Sequence, residues 1–124
     1  MTTWITICDT CKHEGWDAAT AERTDGEALA ARIEPLAAAR GIATRRVSCL
    51  MGCTHGCNVA IQAAGKLCYT LGRFQGDEDD AAAIADYAAL HRDSPNGQVP
   101  YRQWPQGVKG HFITRHPPLP DSTE

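Results

Sequence analysis

Five of the six cysteines in this chain fall into two short groups, Cys8-Asp9-Thr10-Cys11 and Cys49-Leu50-Met51-Gly52-Cys53-Thr54-His55-Gly56-Cys57. Four thiolates drawn from two such groups are enough to hold a metal ion or an iron–sulfur cluster. If the groups share one site, residues 12–48 must leave it and return, so the fold has to bring two distant segments to one place. The N-terminus, Met1-Thr2-Thr3-Trp4-Ile5, lacks a basic region and a long apolar stretch, and no run of about 18 apolar residues occurs. The chain is therefore expected to be soluble and cytoplasmic, with no membrane partner. Disulfides are disfavoured in a reducing cytoplasm, so spaced cysteines there read as metal ligands or redox-active thiols.

A length of 124 residues with 43% apolar composition suits one small domain. A net charge of −3 argues against nucleic acid as a partner, since such surfaces cluster Lys and Arg. Trp4-Ile5-Thr6-Ile7 is rich in β-branched and aromatic residues and predicts a strand ending at Cys8. Thr24-Asp25-Gly26-Glu27 has capping-box spacing, and Leu29, Ile33 and Leu36 share a helical face, predicting a helix over about 25–40 closed by Gly41. Pro35 removes a donor from this helix and is expected to kink or split it. Ile42 to Ser48 reads as a second strand, delivering Cys49 after a right-handed parallel crossover, so both cysteine groups would leave one edge of the sheet. Asn58–Gln62 and Leu67–Leu71 read as an antiparallel hairpin joined through Ala63-Ala64-Gly65-Lys66. Asp77-Glu78-Asp79-Asp80 opens a second helix over about 78–92, with Ile84, Tyr87, Ala88 and His91 on one face. Six of the seven prolines follow Ser94. The expectation is a domain over 1–93 with a Pro-rich extension, 94–124, packed on it or partly disordered.

In a [2Fe–2S] cluster each tetrahedral iron takes two thiolates, and Cys8, Cys11, Cys49 and Cys53 suffice. The two-residue spacer of the first group and the Gly52-containing loop of the second suit one iron each. Cys57 is an alternative ligand, and Cys68 reads as a small buried apolar residue. Zinc is the other reading of the same four thiolates. A dithiol-exchange pair at Cys8 and Cys11 is the third, weakened because Lys12-His13-Glu14-Gly15-Trp16 does not open a clear helix.

The stretch Arg46-Val47-Ser48-Cys49-Leu50-Met51-Gly52-Cys53 through Val59 resembles the second cluster-binding segment of thioredoxin-like [2Fe–2S] ferredoxins. Over residues 3–92 that resemblance implies a thioredoxin-like α/β fold with a mixed four-stranded sheet, two main helices and an irregular C-terminal tail. It also implies electron transfer between redox partner proteins. The whole chain, with its tail Ser94–Arg102 and Trp104–Gly110, is similar to a bacterial family of small metal-binding proteins whose genes are often found near cobalamin biosynthesis genes. A first pair separated by two residues departs from the ferredoxin pattern of four or more, and Cys57 would stand beside the site. A zinc- or cobalt-binding protein using the same cysteines is the alternative function. No nucleotide-binding glycine motif marks the chain as a reductase, and no catalytic residue is expected. A homodimer is admitted as the oligomeric state.

His55 is a candidate to tune the site by hydrogen bonding to sulfur. His13, His111 and His116 lack partners at metal-binding spacing, and His91 reads as a core or boundary histidine. Tyr101, Trp104, Lys109, Arg115 and His116 mix aromatic and basic character, and the favoured reading is that Trp104 and Phe112 anchor the tail to the domain.

Overall fold

Strand β1, Thr3–Cys8, is an interior strand of the sheet, paired along both of its edges. The computed structural model describes residues 2–10, 24–48, 57–74 and 77–118. β1 is followed by α1, Asp25–Ala39, then by β2, Ala43–Val47, which returns parallel to β1 with Trp4 opposite Ala43 and Cys8 opposite Val47. β3, Val59–Ala63, pairs antiparallel with the other edge of β1, Ile7 opposite Val59. β4, Cys68–Leu71, completes the hairpin, and α2, Glu78–Asp93, runs back along the sheet. The result is a mixed α/β fold.

Alternation along β1 divides its side chains between two faces. Ile5 and Ile7 point to the helix side, where they are fully buried with Leu29, Ile33, Val59, Ile61, Leu71, Ile84 and Tyr87. Trp4, Thr6 and Cys8 fall on the other. Both helices pack on β1 and on each other, which places them on the Ile5 and Ile7 side. Thr24 caps α1 by accepting from the Glu27 amide at 3.2 Å, and Asp77 caps α2 by accepting from the Asp80 amide at 2.8 Å.

Two expectations need correction. The sheet has five strands, not four: β5, Phe112–His116, lies within the supposedly irregular tail and pairs antiparallel with β4. It forms because Phe112-Ile113-Thr114 has strand-forming side chains and because Phe112 finds aromatic partners, with ring centroids 5.5 Å from Tyr69 and 5.2 Å from Tyr87. Two short 3-10 turns, Tyr101–Gln103 and Gln106–Val108, lead into it. Trp104 anchors this stretch, its indole donating to the Val99 carbonyl at 2.8 Å with its ring 4.5 Å from Phe112. The second concerns α1, which is not split at Pro35 but continues through it as one helix. Pro35 sits on the exposed side, so the carbonyl of Ala31 that loses its partner can turn to water. No helix of the described residues is long and apolar enough to cross a membrane.

Candidate functional site

Parallel pairing of β1 with β2 decides where the cysteine segments meet. Cys8 is in register with Val47, and the Asp9 amide donates to the Val47 carbonyl at 3.0 Å. The segment that carries Cys49 therefore starts beside the strand end that carries Cys8. On the opposite flank the Cys8 amide donates to the Asn58 carbonyl at 3.1 Å, which brings Cys57 to the same edge. The Cys57 amide in turn donates to the Phe74 carbonyl at 3.0 Å, tying in the stretch that follows β4. Four chain segments converge here, and Cys8 and Cys57 are buried, 1% and 0% exposed.

The first turn of α1 is pressed against this edge. The Thr24 hydroxyl donates to the Asp9 carbonyl while it accepts from Glu27, so the cap links helix to strand end. Gly26 is required by the closeness of that approach. A Cβ at this position would overlap the Cys8 carbonyl oxygen and lie 2.8 Å from the Asp9 carbonyl carbon and 2.9 Å from its Cα. The partial positive charge of a helix N-terminus thus lies beside the Cys8 segment, where it favours a thiolate or another anion. The Cys8 sulfur lies 3.8 Å from the Ser48 carbonyl and 3.6 Å from the Thr10 hydroxyl. As a thiol it donates to Ser48, whose carbonyl also accepts from the Thr10 hydroxyl; as a thiolate it could accept from Thr10 only if that single proton turned away from Ser48.

Of the candidate residues, Cys8 and Cys57 are brought to one edge. Cys11, Cys49, Cys53 and His55 lie outside the described residues. Among the described residues no three His, Cys, Asp or Glu side chains come close enough to hold a metal ion. Cys68 is half-buried in β4, and burial pushes its thiol pKa up, against a smaller opposing effect of a hydrogen bond with Gln62. His91 is fully buried at the far end of α2.

Two residues of this neighbourhood escaped sequence reasoning. Gly26 was visible only as a member of the capping box, although a glycine in the first turn of a helix is itself a sign of close approach. His111 stacks on Phe74 at 4.3 Å, with planes 7° apart, and its Nδ1 lies 2.8 Å from the Gly72 carbonyl. No spacing rule links it to the cysteines, because the tail carries it there through β5.

A family model described as "Protein of unknown function (DUF1636)" matches residues 5–118. No curated protein and no solved structure matches the chain.

Proposed function

The chain belongs to the DUF1636 family by that match, and for it we propose a thioredoxin-like carrier of one [2Fe–2S] cluster that passes single electrons between cytoplasmic partner proteins. The observation that carries the reading is the convergence of the Cys8, Val47–Ser48 and Cys57 segments at one sheet edge, against the N-terminus of α1. Strand order β2-β1-β3-β4, with a parallel β1–β2 crossover, supports the thioredoxin-like part, and β5 is then an addition to that core. Cys8, Cys11, Cys49 and Cys53 would hold the cluster, with Cys57 as the alternative ligand. The donor set suits it: thiolates are the ligands such clusters take, and the helix N-terminus beside the Cys8 segment lowers the cost of negative charge there. When bound, the cluster supplies one-electron oxidation and reduction. The chain's own residues fix the ligand-bearing segments, through the Asp9–Val47 and Cys8–Asn58 backbone bonds, and keep Cys8 away from water. A place in cobalamin biosynthesis belongs to the same proposal and rests on family resemblance.

The test is purification without oxygen, followed by a visible spectrum and by iron, sulfide, zinc and cobalt analysis of one sample. A brown protein with about two irons and two sulfides, bleached by dithionite, is the expected result. A colourless protein holding one zinc, or a sulfide-free cobalt form, would replace the carrier by a metal-binding role for the same thiolates. Cys49→Ser and Cys53→Ser are expected to lose the normal cluster, whereas Cys68→Ser keeps it. Unchanged iron and sulfide in Cys53→Ser would remove that residue from the ligand set, and loss of both in Cys57→Ser would bring Cys57 in.

A further inference from the structure

The sheet face opposite the helices carries a polar arrangement that the cysteine edge does not use. Toward its other end Trp4, Arg45, Gln62, Cys68, His116 and Pro117 line a cavity of about 690 Å³. That volume is within the range of small-molecule sites. Trp4 precedes Cys8 by four residues of strand, or about 13 Å, so this cavity is separate from the cysteine site and does not depend on what the cysteines bind.

Arg45 organises the cavity. Its Nε donates to the Thr6 hydroxyl at 2.7 Å, its Nη2 to the Gln62 side-chain oxygen at 3.3 Å, and its guanidinium carbon stands 6.0 Å from the centroid of the Trp4 ring. All three partners are neutral. Among the described residues no carboxylate pairs with Arg45, while its neighbour Arg46, on the helix side of β2, is held bidentately by Glu34 at 2.8 Å for both bonds. Two successive arginines on one strand thus have opposite circumstances. Arg46 is neutralised, whereas Arg45 is oriented by acceptors that leave its charge uncompensated and Nη1 available to an anion. Beside it Trp4 remains 41% exposed, a large ring left open to solvent. Pro117 and Ala63 add apolar wall.

We propose that this cavity binds a small organic carboxylate with a flat apolar body, the carboxylate taken by Arg45 and the body laid against Trp4. Lys66 also lines the cavity but is buried and spends its ammonium on the His91 and Arg92 carbonyls, so the exposed guanidinium of Arg45, with apolar walls beside it, suits a monoanion that brings its own hydrophobic surface. A phosphate group would ask for more positive charge and gain nothing from Trp4.

Benzoate is the probe, and benzamide its neutral counterpart of nearly the same shape. Each is titrated into the full-length protein and followed by the Trp4 indole N–H and the backbone amides of Arg45, Gln62 and Cys68 in nitrogen–proton correlation spectra. Benzoate should saturate in the millimolar range, with benzamide at least about tenfold weaker, the loss of one charge-assisted contact. Arg45→Gln should weaken benzoate by a similar factor and Arg46→Gln should leave it unchanged. Equal binding of benzoate and benzamide to the unaltered protein would overturn the proposal without recourse to any variant. So would unchanged affinity in Arg45→Gln, or no saturation by about 20 mM. Inorganic phosphate binding more tightly than benzoate would overturn the carboxylate assignment.

Discussion

At Gly26 two preferences oppose each other, and their magnitudes say which prevails. Alanine is the better helix former by about 1 kcal/mol, which would favour Gly26→Ala in an isolated α1. Against that, the new Cβ would overlap the Cys8 carbonyl and crowd Asp9, both of them backbone that cannot swing aside. Overpacking of this kind costs about 1–3 kcal/mol, so the net change should be a loss of stability of up to about 2 kcal/mol. Urea denaturation of Gly26→Ala checks the sign. A variant as stable as the parent would mean that α1 does not rest on the cysteine strand as closely as the geometry has it. Such a contact cannot be read from a linear sequence, since only the fold puts residue 26 against residues 8 and 9.

Among the elements, α1 raises a second question of balance. Pro35 denies the helix one hydrogen bond, yet the helix is continuous because the loss falls on its exposed side. Replacing Pro35 by alanine restores the donor and improves helix propensity, partly offset by a more flexible unfolded chain, which costs about 0.4–1 kcal/mol. Pro35→Ala should therefore raise stability by about 1–2 kcal/mol, read as a higher urea midpoint at unchanged slope. A lower midpoint would show that the ring itself packs usefully. The two helices, the hairpin and the parallel β1–β2 pair were legible in the sequence because each carries several agreeing signals: capping residues, periodic apolar positions and bounding glycines. β5 was not, because a short run after a proline-rich stretch gains its order from Tyr69 in β4 and Tyr87 in α2. That β2 ends beside Cys8 followed from the rule that parallel neighbours end on one side, whereas Cys57 reaches the same edge through antiparallel β3. The different fates of Arg45 and Arg46 did not, because strand alternation sets them on opposite faces and only the structure shows which face holds an acid.

Across the whole molecule the end remote from Cys8 is fastened by a clamp whose strength should depend on pH. Lys66, in the β3–β4 turn, donates to the carbonyls of His91 at 3.0 Å and Arg92 at 2.6 Å, closing the C-terminus of α2 with a cation. The Leu67 amide donates to the Asn96 carbonyl at 2.9 Å, and the Leu67 carbonyl lies 2.7 Å from His91 Nε2. A carbonyl only accepts, so Nε2 carries the proton, and the buried Nδ1 is left without a hydrogen-bond partner. Gly97, at φ 85°, closes over the ring, where a Cβ would come within 2.7 Å of Nε2. Burial holds the His91 pKa below its usual 6.5, the Leu67 bond opposes this, and the charge of Lys66 adds to it. The folded pKa is thus lower than the unfolded one, so between them the unfolded chain binds more protons. Stability from this group is full above about 6.5 and is lost as pH falls from there toward the lowered value, at up to about 1.4 kcal/mol per pH unit. Glu34, whose carboxyl is held below its usual 4.5 by the hydrogen bond from Arg46, titrates lower still and lies outside this window. Urea midpoints measured at constant salt from about pH 7.5 to 5 should fall in the parent protein. They should stay nearly level in His91→Gln, which keeps a donor for Leu67 but does not titrate. Parallel declines in the two proteins would place the acid sensitivity elsewhere and leave His91 as packing alone.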